Sequence, residues 1–107
     1  MNKYSLSHCI CIETPDSEAA AEFYQRVFGM QFSMKQGESI ELRAGDRLLY
    51  FDKAAEHRTI FEFFVEDLDA ARAELEAQGC TVDRWEGKGK PCYMRDPFGN
   101  LFNLYQP

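Results

Sequence analysis

The sequence predicts an α+β fold in which the order strand, helix, three strands occurs twice. Segments with a two-residue hydrophobic period alternate with segments whose period is 3.6 residues, and the pattern restarts after about 50 residues. The chain has 107 residues, 45% of them apolar. That length suffices for one core, whereas half of it would be too short to close one. We therefore expect a single domain, residues 1–107, with one module over about 1–54 and the other over about 55–107.

The first module begins with a strand over Tyr4–Glu13, where β-compatible residues alternate weakly. Thr14 or Asp16 can cap the helix that follows, and Gly29 can end it. The helical stripe expected to pack on a sheet consists of Ala20, Phe23, Tyr24, Val27 and Phe28. Three strands complete the module, at Met30–Lys35, Ser39–Arg43 and Arg47–Asp52.

The second module repeats this order after a polar linker, Lys53–Arg58. Thr59–Glu66 has strong β propensity, and Asp67 is a suitable N-cap for a helix over Leu68–Gln78 that Gly79 ends. The remaining strands are predicted at Cys80–Trp85, Pro91–Arg95 and Leu101–Tyr105. The segment Asp96-Pro97-Phe98-Gly99-Asn100 has the composition of a tight turn.

Charge and composition exclude several classes of partner. The chain carries 12 basic and 18 acidic side chains, a formal net charge of -6, which argues against binding to nucleic acid or to anionic membranes. We find neither a run of about 20 apolar residues nor a signal peptide. The four cysteines lack the spacing of a zinc or redox motif and are expected to be reduced thiols. We therefore expect a soluble, cytoplasmic protein.

Three stretches carry a resemblance to a known superfamily: PDSEAAAEFYQRVFGM, VEDLDAARAELEAQG and the closing DPFGNLFNLYQ. With the duplicated order, they make the chain similar to the vicinal oxygen chelate superfamily, which includes glyoxalase I, bleomycin resistance proteins and extradiol dioxygenases. The resemblance implies that two βαβββ modules form a curved half-barrel sheet around a central cavity, with the helices on the outer face. Metal-dependent members place one metal ligand on each of several cavity-facing strands.

The residue types at these positions argue against a metal. By resemblance, the ligand positions fall on Cys9, Tyr50, Ile60 and Asn103. Ile60 cannot ligate, an amide oxygen is a poor ligand, and a neutral phenol is a weak one at pH 7. His8 lies next to Cys9 but points to the opposite face unless a bulge shifts the register. We therefore expect no family-type metal site, with His8 as a weak alternative ligand.

Alternation predicts which residues face the cavity if the alignment holds. The predicted ligand-binding residues are Cys9, Cys11, Tyr50, Ile60, Glu62, Phe64, Asn103 and Tyr105. The opposite parity is apolar and is expected under the helices; it comprises Ile10, Ile12, Leu49, Phe51, Phe61, Phe63, Val65, Phe102 and Leu104. Such a pocket suits an organic ligand with flat or apolar parts. In the plainer alternative, Tyr50, Phe64 and Tyr105 fill the half-barrel and bind nothing.

Two carboxylates and two thiols are weak candidates for catalytic groups. Glu13 and Glu62 could pair, which would raise one pKa and create a general base, although a strand-end glutamate is more often solvated. Cys9 and Cys11 could be reactive, but no neighbouring basic residue is evident that would lower a thiol pKa.

These observations favour a metal-independent binding protein, similar to the bleomycin resistance branch, that holds an aromatic or amphipathic compound and needs no cofactor. The alternative is an enzyme of the glyoxalase or dioxygenase type, an isomerase, lyase or oxygenase, with displaced metal ligands or a carboxylate base. A third alternative is a degenerate interaction module. The resemblance also implies a homodimer.

Overall fold

The computed structural model describes residues 3–107, which form eight strands and two helices. The elements in chain order are β1 (Tyr4–Thr14), α1 (Ser17–Phe28), β2 (Gln31–Gln36), β3 (Ser39–Ala44), β4 (Arg47–Lys53), β5 (Arg58–Val65), α2 (Leu68–Ala77), β6 (Thr81–Trp85), β7 (Cys92–Arg95) and β8 (Leu101–Tyr105). The chain divides into two compact units. We call residues 8–60 the N-terminal unit, and residues 61–107 with residues 3–7 the C-terminal unit.

The N-terminal unit is a four-stranded sheet with α1 packed on one face. The strand order is β2-β3-β4-β1. Strands β1 and β4 are parallel, whereas the other neighbours are antiparallel. The Asp16 side chain caps α1 by accepting the N–H of Ala19 at 3.0 Å, and Gly29 ends the helix with a left-handed φ of 72°. The core beneath the helix contains Ala21, Ile40, Leu42 and Phe51.

The face that α1 buries differs from the predicted stripe. Ser17 and Ala21 are the buried residues of the helix, and Ala20 and Tyr24 pack beside the core. Phe23, Val27 and Phe28 are 44%, 49% and 60% exposed, so the predicted burial of these three side chains is wrong. The small side chains of Ser17 and Ala21 form the line of contact because they leave room for the large sheet residues below.

The C-terminal unit repeats this construction with the strand order β5-β8-β7-β6 and α2 on one face. Asp67 caps α2 as predicted, accepting the N–H of Ala70 at 3.1 Å. The core contains Val65, Leu68, Ala71, Cys80, Cys92, Met94, Phe102 and Leu104. Phe61 was expected in this core, but it is 47% exposed.

The predicted α+β class with two βαβββ modules is confirmed, and the boundaries of the elements differ from the predicted ones by at most one residue. Strand β6 begins at Thr81 because the N–H of Cys80 donates to the carbonyl of Leu75 and closes the end of α2. Strand β7 begins after Pro91, which has no N–H for the ladder. Strand β5 begins at Arg58, inside the predicted linker. Neither helix within residues 3–107 is long and apolar enough to cross a membrane.

Strands β2 and β6 each have a neighbour on one side only, and each carries a bulge. The extra residue is Ser33 in β2 and Asp83 in β6. Both side chains bond to the rest of their own sheet: Ser33 Oγ donates to Glu41 Oε2 at 2.6 Å, and Asp83 Oδ1 accepts Arg95 Nε at 3.1 Å. The bulged residues are therefore held by their side chains where the ladder is interrupted.

The turn between β7 and β8 is organised by Asp96. Its carboxylate accepts the backbone N–H groups of Phe98 and Asn100, each at 2.9 Å, and the side-chain amide of Asn100 at 3.0 Å. The bonds from Asn100 contribute most to lowering the pKa of the Asp96 carboxyl below its ordinary value. Gly99 supplies the positive φ, 91°, that the turn requires.

Truncating the core of the N-terminal unit tests the packing of α1. Phe51 is fully buried and packs against Tyr24, with ring centroids 5.0 Å apart and the rings tilted by 54°. Phe51→Ala should lower the free energy of unfolding by about 3–5 kcal/mol in urea denaturation. The matched control is Phe98→Ala, at a residue 88% exposed, which should change it by less than about 0.5 kcal/mol. Equal effects of the two variants would contradict the assigned core.

The Asp96 turn predicts a pH-dependent contribution to stability. Because its pKa is lowered in the folded state, the ionised carboxylate stabilises the fold above its ordinary pKa of about 3.9. This contribution is lost as the pH falls through the lower folded-state pKa. The stability difference between wild type and Asp96→Ala should therefore be constant near neutral pH and shrink in acid. Asp46→Ala, at an exposed turn carboxylate, is the control. A difference for Asp96→Ala that does not depend on pH would refute this account.

Candidate functional site

In each unit, the sheet face opposite the helix carries most of the predicted site residues. In the N-terminal unit, Cys11 lies opposite Tyr50 across β1 and β4, and Tyr50 lies opposite Glu41 across β4 and β3. Residues paired in this way share a face. The register from Cys9 to Thr14 is regular, and Cys9 forms a hydrogen bond with Tyr50. Cys9 therefore lies on this face, as the alternation predicted, and His8 has the opposite parity.

Tyr50 is held by a carboxylate that the sequence did not indicate. Its hydroxyl donates to Glu41, which also accepts the hydroxyl of Ser33 at 2.6 Å. These two donors lower the pKa of the Glu41 carboxyl, with Ser33 contributing most. Burial contributes most to raising the pKa of Tyr50, followed by its bond to Glu41. Tyr50 is therefore a neutral phenol at neutral pH, with its proton directed to Glu41.

The other polar side chains of this face also have partners within the unit. The thiol of Cys11 donates to Asp52 Oδ2 at 3.1 Å. Glu13, a weak catalytic candidate, is 8% exposed and lies 3.6 Å from Nε of Arg58. Arg58 also lies 3.8 Å from Glu56. The carboxylate of Glu13 is therefore part of an ion-pair cluster.

In the C-terminal unit, Glu62 and Asn103 face each other across β5 and β8. Asn103 Nδ2 donates to Glu62 Oε2 at 3.1 Å. Because a carboxylate only accepts, this bond fixes the orientation of the amide. Asn103 is 8% exposed, and its Oδ1 atom is buried with no hydrogen-bond partner within the described chain. A buried acceptor without a donor costs about 1–3 kcal/mol.

The next residues along the same two strands are aromatic. Phe64 lies opposite Tyr105, with the ring centroids 6.1 Å apart. Phe64 is half-buried, whereas Tyr105 is 40% exposed. Ile60, two residues before Glu62 on β5, is almost completely buried. The structure thus brings together four predicted ligand-binding residues on this face: Glu62, Phe64, Asn103 and Tyr105.

Sequence reasoning missed the site residues on β2 and β3 of the N-terminal unit and on β6 and β7 of the C-terminal unit. Besides Glu41 and Ser33, it missed Tyr93, which lies opposite Asn103 on β7, and Arg84, whose guanidinium lies 4.3 Å from the centre of the Tyr93 ring. Alternation within β7 predicts the sheet face on which Tyr93 lies. The bulge in β6 prevents the same prediction for Arg84, because the extra residue interrupts the alternation.

A pocket of about 420 Å³ lies in the C-terminal unit beside the start of α2. Its lining includes Tyr105 and, from the loop between β6 and β7, Lys88 and Lys90. Gln106 Oε1 accepts the N–H of Leu68 at 2.8 Å. The chain itself therefore satisfies this helix N-terminal donor.

Three of the four positions at which the resemblance places metal ligands do not fit a divalent metal, and the fourth, Cys9, is hydrogen-bonded to Tyr50. Ile60 has no donor atom, and the Tyr50 phenol is protonated and bonded to Glu41. Asn103 offers only its amide oxygen, which is a poor ligand, because its amide nitrogen is bonded to Glu62. Within residues 3–107, no three His, Cys, Asp or Glu side chains are close enough together to hold an ion. All four cysteines are thiols, two of them buried.

Comparisons with known proteins agree with this architecture. The chain resembles a glyoxalase/bleomycin resistance protein/dioxygenase superfamily member from Vibrio splendidus 12B01, with a TM-score of 0.73 and 15% identity over 96% of this chain and 100% of that one. It also resembles the Mn(II)-bound glyoxalase from Novosphingobium aromaticivorans, with a TM-score of 0.72 and 20% identity over 99% of this chain and 40% of that one.

A third similar structure is homoprotocatechuate 2,3-dioxygenase from Brevibacterium fuscum in complex with 3,4-dihydroxyphenylacetate. The TM-score is 0.69, with 24% identity over 91% of this chain and 34% of that one. The chain thus spans less than half of these two enzymes, and identities this low show a shared fold. No curated protein matches the sequence. The family model of a glyoxalase-like domain matches residues 9–105, nearly the whole chain, so this protein belongs to the glyoxalase-like domain family.

Proposed function

We propose that the protein is a metal-independent binding protein, comparable to the bleomycin resistance branch of its superfamily, and that its ligand is an aromatic or amphipathic organic compound. The observation that carries the proposal is the state of Tyr50. This phenol stands where the resemblance expects a carboxylate ligand, and it donates to Glu41. A phenol that is held protonated by a neighbouring carboxylate is a hydrogen-bond partner for an organic molecule rather than for a metal ion.

The aromatic side chains of the C-terminal unit support an organic ligand. Phe64 and Tyr105 present two rings beside the polar pair of Glu62 and Asn103. Apolar walls combined with a few directional polar groups are typical of small-molecule sites. The competing function, an enzyme with displaced metal ligands or a carboxylate base, is supported by the presence of a glyoxalase and a dioxygenase among similar structures.

Metal analysis combined with a thermal-shift screen separates the two functions. We expect less than about 0.1 equivalent of divalent metal after purification without chelators, and no rise in Tm on adding Mn²⁺, Fe²⁺ or Zn²⁺. Aromatic compounds that bind should raise the Tm, because a ligand present at 100 times its Kd raises the free energy of unfolding by about 2.7 kcal/mol. One equivalent of retained metal, or a metal-dependent rise in Tm, would favour the enzyme.

Two variants locate the site within that screen. Phe64→Ala should abolish the ligand-induced shift, since it removes one of the two adjacent rings. Phe98→Ala removes a ring that is 88% exposed on the turn between β7 and β8 and should leave the shift unchanged. A ligand-induced shift that survives in Phe64→Ala would place the ligand elsewhere on the protein.

We also propose that the protein forms a homodimer in a reducing compartment, the cytoplasm. Five large apolar side chains on α1 and β2 are at least 44% exposed: Phe23, Val27, Phe28, Phe32 and Met34. Phe23 and Phe28 lie side by side with ring centroids 5.9 Å apart, and contiguous exposed apolar patches are typical of association surfaces. The four thiols support the reducing compartment.

Sedimentation equilibrium tests the dimer. We expect a species of twice the 12.4 kDa chain mass at micromolar concentration. Phe32→Ser should raise the dimer dissociation constant at least about tenfold by removing an exposed apolar contact. Phe98→Ser, with a comparable loss of exposed ring in the other unit, should not. A 12.4 kDa species for the wild type would contradict the proposal.

A further inference from the structure

The carboxylates on the sheet faces opposite the helices differ in how they are neutralised. Glu13 lies 3.6 Å from Arg58, Glu41 accepts two hydroxyl groups, and Asp52 accepts a thiol. Glu62 accepts one neutral amide, at 3.1 Å, and no ion pair to it occurs within residues 3–107. Glu62 is thus a half-buried carboxylate without a counterion in the part of the chain described.

We propose that Glu62, with Asn103, Phe64 and Tyr105, is a binding site for an organic cation with a flat aromatic body, such as an aryl amidinium or an aryl ammonium compound. This inference rests on the proposed function and specifies the class of its ligand. A carboxylate that is partly removed from water and has only a neutral partner favours a cationic donor, because a charge-assisted hydrogen bond is stronger than a neutral one.

Asn103 is the second observation that indicates a ligand with several N–H groups. It is more than nine-tenths buried, and its amide nitrogen is committed to Glu62. Its Oδ1 atom has no donor among the described residues. Glu62 and Asn103 therefore present only hydrogen-bond acceptors to a ligand. This arrangement disfavours anions and disfavours ligands that can only accept hydrogen bonds.

The aromatic pair lies at a suitable distance from the carboxylate. Phe64 and Tyr105 follow Glu62 and Asn103 by two residues on each strand, a translation of about 6.6 Å. A cationic head bonded to Glu62 would thus place an attached ring beside Phe64 and Tyr105. Tyr105, at 40% exposure, leaves one side of this pair open to a ligand.

The two arginines on this face of the unit are engaged elsewhere. Arg95, which shares the face of Tyr93, donates from Nε to Asp83 Oδ1 at 3.1 Å. Arg84 stacks on Tyr93 at 4.3 Å and belongs to β6, which is separated from β5 by β8 and β7. Three strand spacings amount to about 14 Å. Arg84 therefore does not neutralise Glu62, and the net charge of the chain, -6, attracts cations to the protein as a whole.

The test compares a cation with its neutral isostere. Isothermal titration of the wild type with benzamidinium and with benzamide should give a dissociation constant at least about tenfold lower for benzamidinium, equivalent to about 1.4 kcal/mol. Glu62→Gln should reduce this ratio to below about twofold. Glu22→Gln removes the same charge from an exposed position on α1 and should retain the wild-type ratio.

The outcomes separate this inference from the proposed function. Equal affinity of the wild type for benzamidinium and benzamide would overturn the cation site while leaving small-molecule binding intact. A preference for benzamidinium that survives in Glu62→Gln would also overturn it. If neither probe nor any other aromatic compound raises the Tm of the folded wild type, the proposed function fails together with the inference. The circular dichroism spectrum of Glu62→Gln should match that of the wild type, so that lost binding is not lost folding.

Discussion

The packing of each helix on one face of its own four-stranded sheet is the interaction on which the rest of the structure depends. In the N-terminal unit, Ala21 lies against Ile40, Leu42 and Phe51. In the C-terminal unit, Leu68 and Ala71 lie against Met94, Phe102 and Leu104. Side chains alternate across a strand, so burying one parity under a helix directs the other parity to the opposite face. The polar and aromatic residues at the candidate site are consequences of that division.

Much of this division could be predicted from the sequence because it depends on local pattern. Alternation placed Cys9, Cys11 and Tyr50 on one face, and the caps at Asp67 and Gly29 lie where residue type predicts them. Helical periodicity was less informative. A stripe of large residues in α1 indicated burial of Phe23 and Val27, but the helix approaches the sheet through Ser17 and Ala21.

Contacts between strands could not be predicted. The hydroxyl of Ser33 reaches Glu41 because a bulge adds one residue to β2, and no sequence pattern shows that extra residue. The bond between Asn103 and Glu62 likewise requires the register of two strands that are 41 residues apart in sequence. The side-chain partners at the candidate site therefore depend on the register of strand pairing, which is determined by the packing of the whole unit.

The bulges in β2 and β6 have a consequence for how copies of this chain can meet. A regular outer strand presents evenly spaced N–H and C=O groups, to which a second chain can add a strand. Ser33 and Asp83 interrupt that spacing near the middle of each outer strand and are anchored inward by their side chains. Continuous backbone pairing with another molecule is thereby limited to a few residues. Any association must then use side-chain surfaces, and growth into fibrils by successive strand addition is disfavoured.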